Sequence, residues 1–136
     1  MPLGQPGRND RGLDHTPTWG RVYWGGAMFC LLADIEIRKR TGNKKGLEDA
    51  LRTILKAGGT IESDWSLTRA LEIGDRGTGV PVLRELYNKM KATPAPMDLS
   101  ALWKELGVER RNGKTEFNGG APLAAIRKAI TRPKVR

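Results

Sequence analysis

The chain has 136 residues, 38% of them hydrophobic and 29% charged, and its 24 Lys and Arg against 15 Asp and Glu give a net charge of +9. That length suits one domain able to bury roughly two-thirds of its unfolded surface, and the composition excludes a disordered chain. A lone cysteine excludes an intrachain disulfide, and the longest apolar run, Ala27 to Ala33, is far below the roughly 20 residues that span a bilayer.

Residues 1–18 read as a flexible tail, with Pro2, Pro6 and Pro17 among glycines and no hydrophobic period. MPLGQPGRNDRG has no apolar core of the signal-peptide kind, so the cytoplasm is the default compartment. The most apolar stretch follows, Arg21 to Arg40. Met28, Leu31, Leu32 and Ile35 recur at helical spacing, and Phe29, Ala33 and Ile37 form a second stripe beside them. Two stripes predict a central helix over 27–40, entered through Gly25-Gly26, with Cys30 as a small buried hydrophobe. Arg38, Lys39 and Arg40 suit its C-terminal end, and Thr41-Gly42-Asn43 stops it. Asp34 can pair with Arg38, and Glu36 with Arg40, at i,i+4.

Residues 47–57 predict a second helix with Leu47, Leu51, Ile54 and Leu55 on its inner face, and Glu48 within reach of Arg52. Ser63 or Asp64 can cap a third, with Trp65, Leu67, Ala70 and Leu71 inward and Gly74 at its end. Asp75 to Gly79 reads as a polar glycine loop without phosphate-loop spacing. A fourth helix starts near Pro81 and carries the stripe Leu83, Leu86, Tyr87, Met90 before Thr93-Pro94-Ala95-Pro96 breaks it. Asp98 caps a fifth, with Leu99, Leu102, Trp103 and Leu106 aligned and Gly107 ending it.

Val108–Arg111 and Lys114–Phe117 flank Asn112-Gly113, which predicts a type I′ hairpin pairing Val108 with Phe117 and Glu109 with Glu116. Pro122 opens a sixth helix with Leu123, Ile126 and Ile130 in line, and residues 133–136 form a basic tail. The expected fold is therefore mainly α: about six helices packed around the 27–40 helix, one small hairpin near 108–117, and a single helical domain over 19–132.

Most site chemistries are missing. The only histidine, His15, lies in the tail, so neither H-E-x-x-H nor a structural zinc set exists, and G-x-S-x-G is absent. Asp34 and Glu36 lie two apart on a helix and face different ways, which favours ion pairs over paired acid–base work. Trp19, Trp24, Trp65 and Trp103 read as packing residues. Charge motivates one reading: a small basic module for nucleic acid or an acidic partner, through Arg38-Lys39-Arg40 with Lys44-Lys45, Arg110-Arg111 with Lys114, and the tail. No nucleic-acid-binding signature accompanies it.

TPTWGRVYWGGAMFCLLADIEIRKRTGN and GLEDALRTILKAGG are similar to the C-terminal part of the catalytic domain of glycyl-aminopeptidase-like zinc metallopeptidases, which share the thermolysin-type catalytic fold. The likeness centres on Tyr23, two intervening residues, Gly26 and a long apolar helix. Related aminopeptidases carry lysine where this chain has Gly25. IGDRGTGVPVLRELY, DLSALWKELGV and APLAAIRKAI extend the resemblance over roughly residues 12–132. It implies that Tyr23 donates a hydrogen bond to the oxyanion formed as water adds to a scissile carbonyl. It also implies that zinc is held by an H-E-x-x-H segment upstream of this stretch, and by no residue of this chain. The expectation is a helical subdomain inactive alone, completed by a missing upstream catalytic half or by self-association, with a peptide substrate only in the complete enzyme.

Overall fold

The computed structural model describes residues 19–92 and 98–133. The predicted tails at 1–18 and 134–136 and the break at 93–97 lie outside them. The described residues are mainly helical with one two-stranded antiparallel hairpin. The chain divides into two compact units, Met1–Ala95 and Pro96–Arg136.

The first unit holds α1 (Trp19–Arg40), α2 (Leu47–Lys56), α3 (Leu67–Thr78) and α4 (Val82–Ala92). Its core joins Ala33 and Ile37 of α1 to Ala50 of α2, Leu71 of α3, and Val82 and Leu83 of α4. Ile37 is fully buried, which contributes about 1.5–3 kcal/mol. α1 begins eight residues before the predicted start at 27, so Gly25 and Gly26 lie inside it and form no entrance. Each glycine costs about 1 kcal/mol relative to alanine, but no proline interrupts the run and a 22-residue helix absorbs the loss. Thr41-Gly42-Asn43 ends it as expected, with Gly42 at φ +59° and Asn43 at φ +66°. Its buried side chains gather in the C-terminal half, at Ala33, Ile35, Ile37 and Arg38. Cys30, expected inside, is exposed.

α2 is turned partway from the predicted orientation, with Leu47 still packed on the core. Ala50 is fully buried, whereas Leu51 and Leu55, predicted inside, are exposed. The cause is α3, whose Gly74 and Gly77 bring its backbone against the Ala50, Thr53 and Ile54 side of α2. This contact also corrects the limits of α3. Ser66 caps it, its hydroxyl accepting from the Arg69 N–H at 3.2 Å, and the helix runs through Asp75–Thr78 to Gly79 in the left-handed conformation. Gly74 and Gly77 therefore serve close helix packing, and the loop predicted at 75–79 is the last turn of α3. Trp65 precedes the helix, lies against Gly59 and has the Arg69 guanidinium 4.3 Å from its ring centre.

The second unit contains α5 (Leu99–Leu106), β1 (Val108–Arg111), β2 (Lys114–Phe117) and α6 (Ala124–Thr131). Asp98 caps α5 as predicted, accepting from the Ala101 N–H at 3.0 Å. The hairpin has the predicted register, Val108 opposite Phe117 and Glu109 opposite Glu116. Arg111 relieves the carboxylate pair by reaching Glu109 at 3.2 Å and Glu116 at 3.6 Å. Asn112 and Gly113 both have positive φ, as a type I′ turn requires. A lone hairpin is marginal. Here Arg127 of α6 ties it down: its Nη1 donates to the Leu106 and Gly107 carbonyls at 2.8 and 2.9 Å, with the guanidinium 4.9 Å from the Phe117 ring centre. Leu106, Ala124 and Ile126 form the buried centre.

Candidate functional site

Tyr23 sits in the N-terminal half of α1, 52% exposed, beside Trp24 at 66%. Adjacent helical residues point about 100° apart, so the two rings occupy different faces. Gly26, Ala27 and Cys30 fall at i+3, i+4 and i+7 from Tyr23, and all three are exposed. A methyl group added at Gly26 would meet nothing within 4 Å. Among the described residues, the face carrying the phenol is thus lined by small residues one turn ahead of it. This is where the Tyr-x-x-Gly spacing acquires physical content: on a continuous helix it places glycine directly beside tyrosine.

The carboxylates on this helix are committed elsewhere. Asp34 Oδ1 accepts from Arg38 Nε at 3.0 Å and from the Leu47 N–H at 2.9 Å. Glu48 meets Arg38 Nη2 at 3.2 Å, and Asn43 Oδ1 accepts from its Nη1 at 3.3 Å. Arg38 is only 7% exposed, so this corner is a buried charge cluster fixing the α1–α2 turn. Glu48 thus engages Arg38, while Arg52 pairs with Asp49 at 3.4 Å. Glu36 receives Arg40 at 3.1 Å and Lys39 at 3.6 Å, and Arg40 reaches Glu85 at 2.7 Å. The hydrogen bonds to Glu85 and Glu36 raise the Arg40 pKa further above its ordinary range. Asp34 and Glu36 are therefore held in ion pairs.

Those pairs also engage part of the positive charge. All three members of Arg38-Lys39-Arg40 have a carboxylate within 4.0 Å, and Arg111 is paired within the hairpin. Lys44 and Lys45 are exposed.

Among the described residues, no group of three or more His, Cys, Asp or Glu could hold a metal ion. Asp34 and Glu48 converge on the Arg38 guanidinium. His15 lies outside the described residues. No helix among the described residues is long and apolar enough to cross a membrane.

One cluster escaped the sequence reading. Glu72, Asp75, Arg76 and Arg84 line a groove of about 540 Å³ at the α3–α4 junction, together with Gly79, Val80 and Pro81. The signal was the i,i+4 spacing of Glu72 and Arg76, invisible while Gly74 was read as a helix end. No family model, curated protein or solved structure matches this chain.

Proposed function

We propose that the chain is a helical subdomain of an aminopeptidase-like zinc metallopeptidase, inactive alone, in which α1 presents Tyr23 to the substrate carbonyl. The observation that supports this reading is a half-exposed Tyr23 with the small residues Gly26 and Ala27 beside it, on a helix whose other half packs into a core. The resemblance of Thr16 to Asn43 to that family, read from the residues alone, supplies the chemical assignment. A neutral phenol is a suitable donor toward an oxygen that gains negative charge, and such a donor is worth about 10²–10³-fold in kcat. Catalytic metal ligands would come from another segment or another chain. The partner is accordingly the upstream catalytic half or a second subunit, and the substrate is a peptide with a free amino end. The single cysteine is consistent with a reducing compartment, and we place the protein in the cytoplasm.

The isolated chain tests the inactive-alone half of this reading. Incubated with zinc, it should bind no stoichiometric metal and release no aniline from aminoacyl anilides. Zinc-dependent turnover by this chain would contradict it. The nucleotide sequence upstream tests the other half, since an in-frame H-E-x-x-H is expected there or in a neighbouring gene.

A further inference from the structure

The groove at the α3–α4 junction has a charge arrangement that points to a ligand. Asp75 is 4% exposed, and both its oxygens are used: Oδ1 accepts from the Leu83 N–H at 2.9 Å, and Oδ2 from the Arg84 N–H at 3.2 Å and from Arg84 Nε at 3.0 Å. Asp75 therefore does not face a ligand; it anchors Arg84 and the first turn of α4. Its hold on Nε leaves the terminal nitrogens of Arg84 with no hydrogen bond to a described residue, on a side chain 49% exposed. Glu72 and Arg76 line the same groove from α3. They stand at i and i+4 with opposite charge, the spacing at which helical ion pairs form. Yet neither makes an ion pair among the described residues.

With Asp75 and Arg84 compensating each other, the groove presents one carboxylate and one guanidinium, with the outer edge of a second guanidinium beside them. Val80 and Pro81 add apolar lining. An anion alone would face Glu72, and a cation alone would face Arg76, so neither suits the set. A ligand with both charges does. The backbone positions of Glu72 and Arg76 stand about 6 Å apart along the helix axis. The ends of an extended dipeptide lie about 7 Å apart, and those of a single amino acid about half that. The geometry points to a binding site for short zwitterionic peptides of dipeptide size, the ammonium on Glu72, the carboxylate between Arg76 and Arg84, and an apolar C-terminal side chain on Val80–Pro81. This site needs neither zinc nor Tyr23, so it stands apart from the peptidase reading.

Glycyl-leucine titrated into the full chain and followed by amide NMR shifts tests it. Saturable shifts are expected at Gly79, Val80 and Arg84. N-acetyl-glycyl-leucine, glycyl-leucinamide and free leucine should each bind at least about fivefold more weakly, since each lacks one charge or the spacing. Arg76→Gln should weaken glycyl-leucine by about tenfold while leaving the thermal midpoint unchanged. Capped peptides that bind as well as the free one would overturn the proposal, as would shifts that never saturate. The peptide series uses the unmodified chain, so the test does not depend on any variant folding.

Discussion

Replacing Arg38 with methionine should strongly destabilise the first unit. The guanidinium is 7% exposed and lies within 3.0 Å of Asp34 and 3.2 Å of Glu48, with Asn43 accepting from its third nitrogen. Methionine keeps much of the volume but leaves two carboxylates converging on an uncharged side chain. Removing one member of a buried ion cluster costs about 3–5 kcal/mol, because the remaining charges stay desolvated. Asp34 is 14% exposed at its side chain and Glu48 32%, so Glu48 can turn toward water and relieve part of this cost. We therefore expect the low end, about 3 kcal/mol, or a fall of roughly 12–24 °C in Tm for a unit of this size. Arg40→Met is the matched control. Its pairs with Glu36 and Glu85 are exposed, and such pairs are worth about 0–1 kcal/mol. Urea unfolding followed by circular dichroism measures both. An Arg38→Met variant within about 0.5 kcal/mol of the parent would refute the claim that this cluster sets the α1–α2 corner.

Other substitutions test the remaining contacts. Gly77→Ala would drive a methyl into the Thr53 side chain, and overpacking of about 1–3 kcal/mol should exceed the roughly 1 kcal/mol gained from helix propensity. Thr53→Ala in the same chain should restore much of the loss, as a double-mutant cycle in urea would show. Asp75→Ala strips three donors of their acceptor, and thermal unfolding should report a loss of about 3 kcal/mol. In the second unit, Arg127→Met leaves the Leu106 and Gly107 carbonyls without their cationic donor. Amide exchange should then accelerate through the Val108–Phe117 hairpin with little change in α2 and α3.

Elements governed by local chemistry were legible. Asp98 and Gly107 bracket α5, Asn112-Gly113 sets the hairpin and its register, and Thr41-Gly42-Asn43 ends α1, each through a cap or turn using contacts within a few residues. The i,i+4 pairs Asp34–Arg38 and Glu36–Arg40 were readable for the same reason. Errors arose where a glycine answers to a distant residue. Gly74 and Gly77 look like helix breakers in one dimension, but their partners are Leu83, Ile54, Ala50 and Thr53 on other helices. Misreading them hid both the true length of α3 and the groove that its last turn lines. Leu51 and Leu55 share a helical face with Leu47 whichever way α2 is turned, and only the contact with α3 decides that Ala50 goes inside. Tyr23 was singled out by the resemblance, and its place inside a helix that extends back to Trp19 was not read.

The central claim is that Tyr23 stabilises an oxyanion in an enzyme whose metal ligands lie outside this chain. Its most direct test is steady-state cleavage of an aminoacyl anilide by a zinc-loaded protein that joins this chain to the H-E-x-x-H segment proposed to lie upstream, with Tyr23→Phe compared against the parent. Tyr23→Phe should lower kcat by about 10²-fold or more with KM little changed, since the lost hydrogen bond forms only as the carbonyl oxygen gains charge. An unchanged kcat in the variant would contradict that role.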